Sequence, residues 1–129
     1  MLISKRDLSY LNLAKEAALS SKCRWQLGSV LVSGGSIMAI SPNKIRHHPR
    51  WIQIYTLHAE HAVISLAPTK TKGATVYVVR VGADGDVRNS KPCDKCLQIL
   101  TEAGVNRVVW STVDGNYESA RIRELLERD

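Results

Sequence analysis

Two apolar segments, "GATVYVVRVG" at 73–82 and "NRVVWST" at 106–112, are joined by "CDKCLQILTEAG", a run with helical apolar spacing (Leu97, Ile99, Leu100) that Gly104 closes. Strands linked through a helix run parallel, since a tight hairpin can only return a strand antiparallel. The first of the two is apolar enough to lie centrally in a sheet, which requires cover on both of its faces.

The rest of the chain supplies that cover. Asp7 to Ser20 sets Leu8, Leu11, Ala14 and Ala18 on one face of a first helix. "GSVLVSGGSIMAIS" holds two β-rich runs around Gly34-Gly35, the pattern of a tight hairpin. "PNKIRHHPRWIQIY" follows as a long connection with two prolines and the basic residues Lys44, Arg46 and Arg50, flanked by His47 and His48. Thr56 can cap a second helix whose buried face is Ala59, Ala62, Val63 and Leu66, with Pro68 as its stop. After 112, Asp114-Gly115 is a hairpin signal. The remainder forms either an antiparallel strand over Tyr117 to Ile122 or a closing helix on Ile122, Leu125 and Leu126. Arg121, Arg123 and Arg128 alternate with Glu124 and Glu127 as a solvated face. The expected fold is a three-layer α/β/α domain with a mixed sheet.

At 129 residues the chain fits one domain, and no segment has the apolar length to span a bilayer. Its start, "MLISKRDLSYLNLAKEAALSSKC", has no continuous apolar stretch of the kind a signal peptide uses, so a cytoplasmic location is expected. Of three cysteines, Cys23 reads as a core residue, while Cys93 and Cys96 sit at metal or redox spacing. The formal charge of +6 favours anionic partners such as phosphates, nucleotides or nucleic acid, though it equally serves a well-solvated surface.

Chemistry concentrates at two helix starts. His58 lies in the first turn of one, and Cys93 and Cys96 in the first turn of the next. Both helices leave the same edge of the sheet, so these residues can converge. Helix N-termini favour the thiolate form, and two thiolates with one imidazole suit zinc. Three protein ligands leave a fourth position open, the mark of a catalytic zinc. A carboxylate in an apolar helix face must be paired or have a task, and Glu60 beside that centre can carry protons.

"HAE" followed by "PCDKC" resembles the H-x-E and P-C-x-x-C pattern of the zinc-dependent cytidine and deoxycytidylate deaminase superfamily. The resemblance implies a deaminase fold over most of the chain, with His58, Cys93 and Cys96 on Zn2+ and Glu60 as the catalytic proton shuttle. It also implies substrate contacts from Asn43 and Ala59, and a homo-oligomer. Lys91 stands where the tRNA adenosine deaminases carry glutamate, and His58 where free cytidine deaminases usually have cysteine. The histidine is shared with deoxycytidylate, polynucleotide and riboflavin-pathway deaminases. The substrate expected is therefore a cytosine nucleotide such as deoxycytidine monophosphate, with single-stranded DNA or RNA, tRNA included, as the alternative.

A third reading is a non-catalytic module in which His58, His61, Cys93 and Cys96 close a structural zinc. Residues at i, i+3 diverge by about 60° around a helix, so His61 is not required to reach the ion. That reading also leaves Glu60 without a task. In the enzyme reading His61 lines the pocket or packs beneath it. Lys44, Arg46 and Arg50 are candidates for substrate phosphate. Trp25, Trp51, Trp110 and Tyr55 can stack bases or pack the core.

Overall fold

The computed structural model describes residues 3–47, 54–57 and 59–127. Helix α1 (Lys5–Leu19) begins with a capping box: Asp7 N–H donates to Ser4 Oγ at 3.1 Å, and Ser4 N–H donates to the Asp7 carboxylate at 2.9 Å. Its buried stripe runs through Asp7, Tyr10, Leu11, Ala14, Ala17 and Ala18. Because Asp7 turns inward, Leu8 is left exposed at the margin, contrary to the apolar spacing.

Strands β1 (Gln26–Ser33) and β2 (Ser36–Pro42) form the expected hairpin, and Gly34 and Gly35 both have positive φ at its turn. Cys23, expected in the core, is half-buried in the bend before β1. The segment read as one long connection instead contains β3 (Lys44–His47) and β4 (Ile54–Leu57), paired antiparallel in a sheet of their own. Prolines and basic charge mark this stretch as loop, while Ile45, Ile54, Tyr55 and Thr56 carry β preference that prevails locally. Thr56 is therefore in a strand and does not cap helix α2 (Ala59–Leu66). That helix buries Ala59, Glu60, Ala62 and Val63, and Leu66, in its last turn, is 57% exposed rather than part of the buried face.

Strand β5 (Thr75–Val81) pairs antiparallel with β1 and with β6 (Val87–Arg88). Helix α3 (Asp94–Glu102) then leads to β7 (Arg107–Ser111), which runs parallel to β5 as the intervening helix requires. At the C-terminus both alternatives form in succession: β8 (Tyr117–Arg121) pairs antiparallel with β7, and α4 (Ile122–Glu127) buries Ile122 and Leu125 but not Leu126.

The main sheet has the order β2-β1-β5-β7-β8, with β6 beside β5. Side-chain alternation divides the core between its faces. Val30, Val32, Tyr77, Val79 and Val109 meet α1, while Leu31, Val76, Val78, Val108 and Trp110 pack with residues of the other three helices. The architecture is the expected three layers with a mixed sheet. Among the described residues no helix is long and apolar enough to cross a membrane.

Candidate functional site

The starts of α2 and α3 meet on one face of the sheet. Glu60, in the first turn of α2, is 2% exposed. Cys93 is the N-cap of α3 and exposed, and Cys96 lies buried in its first turn. The Cys96 side chain hydrogen-bonds with those of both Cys93 and Glu60. Burial, then the Glu60 charge and the contact with Cys93, push the Cys96 thiol well above its ordinary pKa. Without a metal the helix terminus thus does not prevail over burial, and the thiol form is favoured.

Glu60 and Cys93 open onto a cleft of about 550 Å³. It lies at the C-terminal end of β5, where ligands bind in open α/β sheets. Leu27 and Asn43 form part of its wall, with Ser90 and Lys91 from the loop before α3. Ala59 is fully buried as the first residue of α2. His58, immediately before it, lies outside the described residues, as do His48, Arg50, Trp51 and Arg128, and the side chains of Arg46, His47 and Tyr55. His61 is half-buried.

Asn43 is 2% exposed. Its Oδ1 accepts from Ser21 Oγ at 2.5 Å and from Leu27 N–H at 3.1 Å, and its Nδ2 donates to the Trp25 carbonyl at 2.6 Å. Three of the four hydrogen-bonding positions of the amide are thereby used to hold the chain between α1 and β1, leaving one N–H donor. Lys44, a candidate for substrate phosphate, is exposed and lines a neighbouring depression with 20–23, Pro42 and Asn43, the last of which also lines the cleft.

Two buried serines, Ser90 and Ser111, which belong to no motif of the sequence, fix the loop carrying Cys93. Ser90 Oγ donates to the Val78 carbonyl at 2.7 Å and lies 2.7 Å from Ser111 Oγ, while Ser90 N–H donates to the Ser111 carbonyl at 2.9 Å. Ser111 Oγ in turn donates to the Arg88 carbonyl at 2.6 Å. The loop before α3 is thus stitched to the ends of β5 and β7. Trp110 is a core residue, whereas Trp25 is 58% exposed at the cleft, with the Arg80 guanidinium 4.5 Å from its ring centroid. Arg80 is the lone charge in an apolar strand, a signal overshadowed by its neighbours.

The donor set suits zinc. Two thiols in contact at one helix start are the soft ligands that ion prefers, and a dication between them opposes the burial that keeps Cys96 protonated. Among the described residues no three His, Cys, Asp or Glu side chains form a metal-ligating group. The imidazole expected as third ligand belongs to His58.

The family model of the cytidine and deoxycytidylate deaminase zinc-binding region matches residues 4–112. The chain belongs to this family. It is accordingly a zinc-dependent hydrolytic deaminase of the cytosine type, which sets aside the non-catalytic module. No curated protein matches the deaminase by sequence. Among solved structures it is similar to a cytidine deaminase from Burkholderia pseudomallei, with a TM-score of 0.69 and 20% identity over 92% of this chain and 94% of that one. The deoxycytidylate deaminase of cyanophage S-TIM5 aligns with a TM-score of 0.63 and 19% identity over 94% and 89%. Acinetobacter baumannii RibD aligns with a TM-score of 0.57 and 24% identity over 84% of the deaminase but 28% of its own chain. At these identities the likeness is one of fold.

Proposed function

We propose that the chain removes the amino group of a cytosine carried on a nucleotide such as deoxycytidine monophosphate, with Glu60 as proton carrier and His58, Cys93 and Cys96 as zinc ligands. The observation that carries this reading is the hydrogen bonding of Cys96 with both Glu60 and Cys93 beside one cleft. Metal-type donors and a buried carboxylate meet there within reach of a small molecule.

Zinc supplies Lewis-acid activation, lowering the pKa of the attacking water toward neutrality. Glu60 takes a proton onto a carboxylate oxygen as the water oxygen bonds to ring C4, and passes it to ring N3. The second water proton reaches the amino nitrogen by the same carboxylate, the C4–N bond breaks, and cytosine and water become uracil and ammonia. Burial of Glu60 keeps bulk water out of these transfers. Asn43 contributes its remaining amide N–H to the substrate. Ala59 contributes through its place in the first turn of α2, where backbone N–H groups lack intrahelical partners.

Single-stranded nucleic acid is the second reading, favoured by the exposure of Trp25 at the cleft, since aromatic faces stack bases. Thiols suited to a metal fit a cytoplasmic setting. Ile37 and Ile40, exposed on edge strand β2, fit a homo-oligomer.

The test is Glu60→Ala, which should keep zinc and fold while ammonia release from cytosine nucleotides falls about 10²–10⁴-fold. His61→Ala should keep zinc as well. Zinc loss in His61→Ala together with full turnover in Glu60→Ala overturns the assignment.

A further inference from the structure

Arg80 is the only charged residue of β5. Positions 77, 79 and 81 of that strand face α1, so Arg80 shares the opposite face with Val76 and Val78, one step beyond them toward the open end. Leu27, its β1 neighbour in register, lines the same cleft. The Nε atom of Arg80 is buried and has no hydrogen-bond partner among the described residues, none of which forms an ion pair with it. A buried polar nitrogen seldom goes without a hydrogen-bond partner to compensate its lost water.

The side chain is nevertheless held in place. Its guanidinium lies 4.5 Å from the centroid of Trp25, which a second guanidinium, from Arg24, approaches at 5.5 Å. The Trp25 backbone is fixed in turn, because its carbonyl accepts from Asn43 Nδ2 at 2.6 Å. An arginine stacked on an aromatic ring keeps its edge N–H donors available for planar or tetrahedral oxyanions. Lys91 adds an exposed ammonium on the same cleft, two residues before Cys93.

We infer that Arg80, bracketed by Trp25, and Lys91 form the phosphate-reading wall of the cleft and select a cytosine nucleoside monophosphate over the free nucleoside. Trp25 acts through Arg80 and is a positioning residue. This rests on the proposal that Glu60 marks the reacting end. A cleft of about 550 Å³ suits one nucleotide, and two cations suit one phosphate.

The experiment measures kcat/KM for deoxycytidine, deoxycytidine monophosphate and a cytosine-containing oligonucleotide in zinc-loaded wild type, Arg80→Ala, Arg80→Lys, Lys91→Ala and Trp25→Ala. Wild type should prefer the monophosphate. Arg80→Ala should lower the monophosphate-to-nucleoside ratio about tenfold or more, mostly through KM, as expected for loss of a charged hydrogen bond. Arg80→Lys should restore part of the ratio, and the surface variant Lys91→Ala should lower it without disturbing the fold. Trp25→Ala should lower the ratio in the same direction. Both substrates falling together in Arg80→Ala, with the ratio unmoved in Lys91→Ala, overturns the inference. So does a wild-type preference for the oligonucleotide.

Binding of uridine monophosphate to Glu60→Ala, followed by calorimetry, separates the two proposals. Tight binding that Arg80→Ala abolishes upholds the wall even if Glu60 proves dispensable for turnover. Binding indifferent to Arg80 overturns the wall alone.

Discussion

Arg107 donates two parallel hydrogen bonds to the carboxylate of Asp7, at 2.9 and 3.0 Å, joining the start of β7 to the first turn of α1 across 100 residues of chain. Tyr77 adds a third donor at 2.6 Å, and Ser4 N–H a fourth at 2.9 Å. One carboxylate thus ties the covering helix to two adjacent parallel strands. Burial by itself would raise the Asp7 pKa, but these donors outweigh it and hold the carboxyl well below the usual carboxylate range. Burial and the same carboxylate push the Tyr77 hydroxyl up, so it stays a donor at neutral pH.

Asp7→Asn should cost about 3 kcal/mol at neutral pH, because it leaves the half-buried Arg107 guanidinium without its carboxylate. The folded-state pKa is depressed, so the carboxylate's contribution is complete well above the unfolded value of about 3.9 and is lost as pH falls below it. Urea denaturation at pH 7 and pH 3 should therefore show the gap between wild type and Asp7→Asn narrowing in acid. An unchanged gap would remove Asp7 from the acid response.

Gly28 lets α1 lie close against β1. A Cβ there would lie 2.0 Å from the Ala14 carbonyl oxygen and 2.3 Å from Ala18 N, both backbone atoms. The helix would have to lift, so Gly28→Ala should destabilise by about 1–3 kcal/mol or more. A denaturation midpoint within error of wild type would show that α1 moves freely.

Much of this was legible in the chain because the signals were local. Gly34-Gly35 and Asp114-Gly115 announce hairpins, and a helical run between two apolar segments announces a parallel pair. The meeting of Glu60, Cys93 and Cys96 followed from those directions. Leu8 and Leu66 depart from the apolar spacing for different reasons: a buried acid paired 100 residues away rotates one stripe, and the other residue lies exposed at the very end of a short helix. The β3–β4 pair is obscured by proline and charge. Arg80 and the Ser90–Ser111 pair depend on which face of a strand meets which helix, information that emerges only once the layers are assembled.

Ser111→Ala should reduce turnover as well as stability. It removes the donor to the Arg88 carbonyl and the acceptor of the Arg80 N–H, leaving part-buried groups short of a partner at about 1–3 kcal/mol. The loop carrying Cys93 would loosen, so zinc affinity should fall with kcat, whereas a substitution harmful only to the core would leave affinity intact. Zinc titration of the folded variant distinguishes the two.

The last expectation concerns zinc as a stabiliser. Cys96 is buried, and its thiol is held protonated by burial and by Glu60, so the metal-free chain gains little from it beyond packing. A cation bound by the thiolates stabilises only the folded chain, by about 2.7 kcal/mol when free zinc is 100 times its Kd. Chelation should thus lower the Tm of wild type, while Cys96→Ala and Cys93→Ala should melt at one temperature with or without chelator and hold less than one zinc per chain. Because binding displaces thiol protons, apparent zinc affinity in wild type should weaken as pH falls. A chelator-induced shift of equal size in Cys96→Ala would mean that the ion sits elsewhere, and the assignment of these cysteines as ligands would fall with it.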